Sequence, residues 1–165
     1  MDLFEYMSMQ RKKEESPLAV RMRPKNLDEV VGQQHIIGKD KLLYRAIKAD
    51  KISSLIFYGP PGTGKTTLAK VIANTTSANF VQMNATTSGK KDMEQAVSQA
   101  KDAFGMYGKK TILFIDEIHR LNRQVEEVLY PAMEDFSIDI MIGKGASAKS
   151  IRLDLPHFTL VGATT

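Results

Sequence analysis

A glycine-rich turn that ends in a lysine and a threonine carries the most specific chemistry in this chain. Residues 59–66 read GPPGTGKT and fit the pattern G-x-x-x-x-G-K-[ST]. Glycines let main-chain N–H groups converge on a phosphate at the positive end of a helix. Lys65 is expected to reach the outer phosphates of a nucleotide, and the Thr66 hydroxyl to bind Mg²⁺. The pattern predicts a nucleotide site; a glycine-rich turn without a ligand is the alternative.

A second group of residues able to do chemistry follows the apolar run 111–115, where TILFIDE ends in two carboxylates. Asp116 can hold Mg²⁺ through its water shell, and Glu117 can orient and polarise an attacking water. Alone, such a pair is no more than the start of a loop. Together with an upstream phosphate loop it predicts a hydrolase with Glu117 and Asp116 as catalytic residues. A small-molecule kinase is disfavoured, whereas a module that only binds nucleotide stays open.

The three histidines receive no catalytic or metal role. His119, in DEIHR, is interpreted as an oriented structural side chain because Glu117 already fills the role of the base. His35 and His157 have no partner residues in the sequence pattern. The magnesium site is therefore the only metal site that the sequence predicts.

These residues need a sheet and helices to bring them together. Three helical stretches, about 65–75, 90–104 and 122–135, are interleaved with four short apolar runs: Leu55–Tyr58, Phe80–Met83, Thr111–Ile115 and Phe158–Val161. Strands that alternate with helices predict an α/β fold in three layers, with a parallel sheet covered by helices on both faces. Pro131 is expected to kink the third helix or open its register.

The segment 137–155, SIDIMIGKGASAKSIRLDL, predicts an antiparallel hairpin inserted before the last strand. Apolar residues occupy every second position on either side of a Gly-Lys-Gly centre: Ile138, Ile140, Ile142, Ile151, Leu153 and Leu155. Such alternation shows that one face is buried, but not by what. Contact with a partner protein and packing of the row on its own domain both stay open at this point.

Composition places few further limits on function. The 165 residues hold 42% hydrophobic and 25% charged side chains, a net charge of +4 and no cysteine, so a disulfide framework is excluded. The pattern predicts a flexible arm (1–16) and one domain (17–165). Neither a signal peptide nor a membrane span is recognisable, which suits a cytoplasmic protein. No basic helix face or aromatic platform for DNA is readable.

With both motifs in place, the chain resembles the AAA+ ATPases, P-loop NTPases that hydrolyse ATP with Mg²⁺. Segment 17–38, PLAVRMRPKNLDEVVGQQHIIG, resembles the linker that lies on adenine, which implies that Met22 and Arg23 flank the base. FTLVGATT (158–165) resembles the sensor-1 strand, which implies that Thr165, or alternatively Thr164, contacts the γ-phosphate and water. The resemblance implies phosphate contacts from Gly62, Gly64, Lys65, Thr66 and Thr67.

Two subfamilies share the likeness. Residues 17–112, with DEVVGQQHIIG and NATTSGKKDM, resemble RarA/MgsA recombination ATPases, whereas residues 113–165 resemble RuvB, the motor of Holliday-junction branch migration. The favoured interpretation is a chimera; a natural homologue between the two is the alternative.

The RuvB resemblance implies a hexameric ring and branched DNA bound by parts absent from this chain. It also implies an exposed hairpin whose apolar row contacts a RuvA-like protein; packing of that row on its own domain is the alternative. Glu134, Asp135 and Phe136 would face the nucleotide of a neighbouring subunit, or simply form a charged helix end. The family's arginine finger and lid would follow Thr165, so weak turnover is expected. A RarA-like ATPase is the alternative function.

Overall fold

A computed structural model describes residues 17–142 and 149–165. It contains six strands: β1 (Leu55–Tyr58), β2 (Asn79–Asn84), β3 (Thr111–Asp116), β4 (Ser137–Ile142), β5 (Lys149–Asp154) and β6 (Thr159–Thr164). Four of them form one parallel sheet in the order β1-β6-β3-β2, and β4 and β5 form an antiparallel pair. The predicted fold class is thereby confirmed. The predicted arm, 1–16, lies outside the described residues.

Helices cover both faces of the sheet. They are α1 (Leu18–Arg21), α2 (Gln34–Ile37), α3 (Leu42–Lys48), α4 (Lys65–Thr75), α5 (Lys90–Tyr107) and α6 (Arg123–Glu134), with short 3-10 turns at Leu27–Glu29 and Ile118–Arg120. None of the described helices is long and apolar enough to cross a membrane.

The central strand β3 explains why the sheet sits between two layers. Ile112 and Phe114 pack in one core cluster with α4, whereas Leu113 and Ile115 pack in the other with α5 and α6. Both faces of the strand are therefore buried, which is why it reads as an unbroken apolar run rather than as an alternation. At the edge of the sheet, β1 pairs only with β6 among the described strands and leaves Ile56 and Tyr58 exposed.

Helix α6 lies between the end of β3 and the hairpin in the chain. The Asn122 side chain caps it by accepting a hydrogen bond from the Val125 N–H at 2.9 Å. The helix continues through Pro131 to Glu134, so the prediction that Pro131 would open its register is wrong, whereas the predicted kink stays a prediction. The proline lies in the last turns, where its ring removes a single main-chain hydrogen bond that would otherwise reach the carbonyl of the exposed Glu127.

The hairpin is present, but its apolar row does not stand free at its base. Ile138 faces Leu153 across the two strands, and Ile138 is only 2% exposed within the cluster that α5 and α6 cover. Leu153 and Leu155 pack against the same cluster. The prediction of an exposed row is therefore wrong at Ile138, because the base of the hairpin follows α6 directly and shares its core. Farther out, Ile151 is 44% exposed; the side chains of residues 140–149 lie outside the description.

Candidate functional site

The phosphate loop joins β1 to α4 and turns sharply at two glycines. Gly62 and Gly64 have φ angles of +81° and +86°, in the left-handed region where a side chain is strained. Gly64 stands directly before α4, which begins at Lys65. The free N–H groups of the first helical turn therefore face the loop, which is the arrangement that binds phosphate.

The Lys65 ammonium lies over this loop. It donates hydrogen bonds to the carbonyl oxygens of Gly59, at 2.5 Å, and Pro60, at 3.0 Å. The Thr63 hydroxyl donates to the same Pro60 oxygen at 2.9 Å. Phosphate oxygens are stronger acceptors than these carbonyls because they are charged. Lys65 is thus placed to exchange main-chain partners for a phosphate group.

The carboxyl ends of three strands meet at the phosphate loop. The Gly59 N–H, directly after β1, donates to the Thr164 carbonyl at the end of β6, at 3.2 Å. Next to β6, strand β3 ends at Asp116. Ligands of open α/β sheets bind outside the carboxyl ends of the strands. The structure therefore brings Lys65, Asp116 and the end of β6 to one edge of the sheet, with Thr165 exposed just beyond it.

Glu117 follows Asp116 in a backbone conformation that is unusual for glutamate. Its φ is +53°, and its N–H donates to the Asp116 Oδ1 at 3.1 Å. Its carboxylate Oε2 lies 3.4 Å from the Arg120 Nη1, and both side chains are partly exposed. A residue other than glycine is strained in the left-handed conformation, and such strain is common at functional sites. This turn directs the Glu117 side chain to the exposed edge, where Arg120 holds it.

Thr66 and Asp116 fit a magnesium ion that phosphates help to hold. A hydroxyl and one carboxylate are oxygen donors, which Mg²⁺ prefers, and such ions commonly use one or two carboxylates plus substrate phosphates. Within 17–142 and 149–165, no three His, Cys, Asp or Glu residues cluster as a protein-only metal cage. The donor set therefore suits a metal that arrives with a nucleotide.

An apolar cleft of about 620 Å³ opens beside the phosphate loop. Gln33, Tyr58 and Thr67 line it together with apolar residues: Val30, Val31, Ile36, Leu43 and Leu68. This volume lies in the range of small-molecule sites. Met22 and Arg23 are not among the lining residues, and Met22 is 75% exposed. Their contact with a base stays a prediction. The residues on either side of Gly32, which has a φ of +86°, line the cleft instead.

The three residues predicted to face a neighbouring subunit lie at the other end of α6. Asp135 forms an ion pair with Arg152 of β5 at 3.1 Å. The Phe136 ring contacts the His157 ring edge to face, with 4.1 Å between centroids. Glu134 is exposed. Within one chain these residues do not join the phosphate loop, and their role toward a neighbour stays a prediction.

One contact at the site escaped the sequence interpretation. His119, taken only as an oriented structural side chain, has its Nδ1 2.7 Å from the Thr164 hydroxyl. These residues are 45 positions apart in the chain. The position of His119 could have indicated this contact, because it comes three residues after Asp116, on a turn that follows one strand and lies beside the neighbouring strand of the sheet.

Comparisons with known proteins agree on one relative. The family model described as the Holliday junction DNA helicase RuvB P-loop domain matches residues 22–165. The RuvB subunit of the Holliday junction branch migration complex of Clostridium kluyveri is 53% identical over 146 residues, which are 87% of this chain and 40% of that protein. This chain thus spans about two fifths of the length of that relative.

Solved structures of RuvB from Thermotoga maritima are similar as well. The structure described as the Holliday junction branch migration motor shows 37% identity and a TM-score of 0.66, over 87% of this chain and 42% of the other. A variant of the same protein with one substitution shows 39% identity and a TM-score of 0.68, over 87% and 42%.

Proposed function

The chain belongs to the RuvB P-loop domain family, and from that premise we propose that it binds Mg·ATP and hydrolyses it as the ATPase core of a Holliday-junction branch migration motor. The observation that supports this most is the hydrogen bond from Gly59 to the Thr164 carbonyl. It joins the phosphate loop to the end of β6, beside the carboxylates that follow β3. A nucleotide bound at the loop would then lie within reach of the loop itself, the end of β6 and the carboxylates that follow β3.

Each residue has a defined task in this proposal. Lys65 leaves the carbonyls of Gly59 and Pro60 and binds the outer phosphates. Thr66 and Asp116 would hold Mg²⁺, which would offset phosphate charge. Glu117 leaves Arg120 and orients the attacking water. Thr165, next to the fixed Thr164, contacts the γ-phosphate. The N–H groups of Gly62, Gly64 and Thr67 complete the phosphate cradle.

The experiment that tests this function combines binding and turnover. Purified full-length protein titrated with Mg·ATP in a calorimeter should bind it. Phosphate release should be slow at concentrations where the chains are separate, because an arginine supplied by a neighbouring subunit is worth about 10³–10⁵ in rate in related phosphoryl transfers. Release per chain should rise with protein concentration as rings assemble. Absence of any binding heat, together with absence of phosphate release, would contradict the proposal.

A nucleotide-binding module without productive hydrolysis is the second candidate. The ion pair between Glu117 and Arg120 favours it, because that contact keeps the carboxylate of the proposed base on Arg120 rather than on an attacking water. Binding of Mg·ATP with no phosphate release at any protein concentration would select this function. A RarA-like ATPase would share the same site chemistry and differ in its DNA substrate.

We also propose the assembly that the family implies. Full-length protein would form hexameric rings in the cytoplasm and act on branched DNA through parts outside these residues. A RuvA-like protein would dock on the hairpin 137–155. Because Ile138 is buried and Ile151 is exposed, the docking surface would begin at Ile151, on the outer part of the hairpin.

Two substitutions on the same face of the hairpin separate docking from folding. Ile151→Asp should weaken binding to RuvA of the same organism about tenfold or more, since a charge replaces exposed apolar contact, and should leave the melting temperature within about 3 °C. Ile138→Asp should lower the melting temperature by about 6–12 °C, because an unpaired charge in the core costs about 3 kcal/mol. Unchanged RuvA affinity of Ile151→Asp in surface plasmon resonance would contradict hairpin docking.

A further inference from the structure

The 3-10 turn Ile118–Arg120, between β3 and α6, reaches across to β6. Ile118 packs so closely on Gly162 that a Cβ atom at Gly162 would stand 2.7 Å from the Ile118 Cδ1. That distance is shorter than van der Waals contact permits. The glycine therefore allows the turn to lie directly against β6, two residues before Thr164, which ends the strand.

The same turn places His119 on Thr164. The imidazole Nδ1 lies 2.7 Å from the Thr164 hydroxyl oxygen. A threonine hydroxyl can both donate and accept, so either imidazole tautomer can make this hydrogen bond. On its other side, Thr164 accepts a hydrogen bond from the Gly59 N–H through its carbonyl. Thr164 is thus held between the phosphate loop and the turn that follows the two carboxylates.

We propose that His119 is a positioning residue for ATP hydrolysis. Its Nδ1 fixes the Thr164 hydroxyl, and this fixes the end of β6 relative to Asp116 and Glu117. The next residue, Thr165, is the one expected to contact the γ-phosphate, and its position depends on that anchor. The inference rests on the proposed ATPase function, because positioning matters only where a reaction takes place.

Energetics favour positioning over a purely structural role. His119 is exposed, and Thr164 is only half-buried. A hydrogen bond of this kind contributes about 0.5–1.5 kcal/mol to stability. A displacement of about 1 Å at reacting groups, in contrast, can cost about 10²-fold in rate. His119 also does not line the cleft beside the phosphate loop. Its loss should therefore reduce the rate of the chemical step much more than nucleotide affinity or stability.

Three substitutions at position 119 give a sharp test. Asparagine keeps a polar atom near the place of Nδ1, glutamine moves it toward the place of Nε2, and alanine removes it. His119→Ala and His119→Gln should lower kcat about 10-fold to 100-fold, with KM for ATP within about threefold of the unsubstituted protein. His119→Asn should stay within about threefold in kcat. Melting temperatures of all three should lie within about 4 °C.

Two further measurements complete the test. Thr164→Val should not slow His119→Ala further, because both remove the same contact. In the nucleotide-free protein, the NMR signal of the Thr164 methyl group should differ between His119→Asn and His119→Ala, two variants that both lack the imidazole ring, and should agree between His119→Ala and His119→Gln. Rates that fall equally in the alanine and asparagine variants, or in none of the three, would overturn the proposal.

The proposed function can fail separately from this inference. If the unsubstituted protein shows no phosphate release that depends on Lys65, ATP hydrolysis by this chain is refuted. The positions of the Thr164 methyl signal then decide the contact between His119 and Thr164 without any turnover. The same signal position in His119→Ala and His119→Asn would refute the contact itself.

Discussion

Replacing Glu117 by glutamine should lower ATP turnover about 10²–10⁴-fold, the usual contribution of a general base. Glutamine keeps the size of the side chain but loses the charge that polarises the attacking water. Affinity for Mg·ATP should stay within about threefold, because the phosphates are bound by Lys65 and the loop. Stability should change by less than about 1 kcal/mol, since the ion pair with Arg120 is exposed to solvent.

A matched control lies on α6. Glu127 forms an ion pair with Arg123 at 3.4 Å, the same separation as between Glu117 and Arg120, and its side chain is 66% exposed. Glu127→Gln removes an equivalent ion pair between two residues that have no role in the proposed chemistry, and it should leave turnover unchanged. Turnover is measured as phosphate release at saturating Mg·ATP, and affinity by calorimetry. If Glu117→Gln turns over ATP as fast as Glu127→Gln, Glu117 is not the base.

The phosphate loop and its flanking elements could be predicted closely from the sequence. The predicted helix 65–75 and the strand Leu55–Tyr58 have the bounds seen in the structure. This accuracy has a local cause: two glycines with positive φ permit only a sharp turn, and the helix must begin where they end. Asp116 was predictable for the same reason, because β3 is an apolar run that ends at a carboxylate.

Contacts between distant segments could not be predicted in the same way. Alternating apolar residues in the hairpin indicate one buried face, but Ile138 is buried by α6 and the sheet, and the register of that packing is a property of the whole domain. The contact between His119 and Thr164 likewise requires the order of strands, in which β6 lies next to β3. Periodicity within a segment does not reveal which other segment packs against it or which strand lies next to it.

The assignment of the chain to a subfamily was also only partly predictable from its motifs. The sequence interpretation placed a seam near residue 113, with RarA/MgsA before it and RuvB after it. The family match begins at residue 22 and continues to 165 across that position, as expected for a single lineage. The RuvB resemblance is thereby confirmed, whereas the likeness of 17–112 to RarA/MgsA and the chimeric origin stay predictions. Strand-to-helix phosphate loops are common to both families, so motifs alone distinguish them poorly.

Replacing Lys65 by alanine should weaken Mg·ATP binding about 10-fold to 150-fold. Charge-assisted hydrogen bonds contribute about 1.5–3 kcal/mol, and about 1.4 kcal/mol corresponds to one factor of ten in affinity. Turnover should fall below detection, because the same ammonium offsets charge on the transferring phosphate. Stability should change little: the carbonyls of Gly59 and Pro60 that lose Lys65 lie in a loop where water can replace it.

Lys70 provides the control for this change. It lies on the same helix, α4, with its ammonium 5.8 Å from the centroid of the Phe80 ring instead of on the phosphate loop. Lys70→Ala removes the same unit of positive charge, so any long-range attraction of nucleotide falls equally in both variants. Only the local contact differs between them. Calorimetry with Mg·ATP should therefore show affinity close to that of the unsubstituted protein for Lys70→Ala and affinity about 10-fold to 150-fold weaker for Lys65→Ala. Equal affinities in the two variants would mean that the loop after β1 does not bind the phosphates, and the proposed site would have to be abandoned.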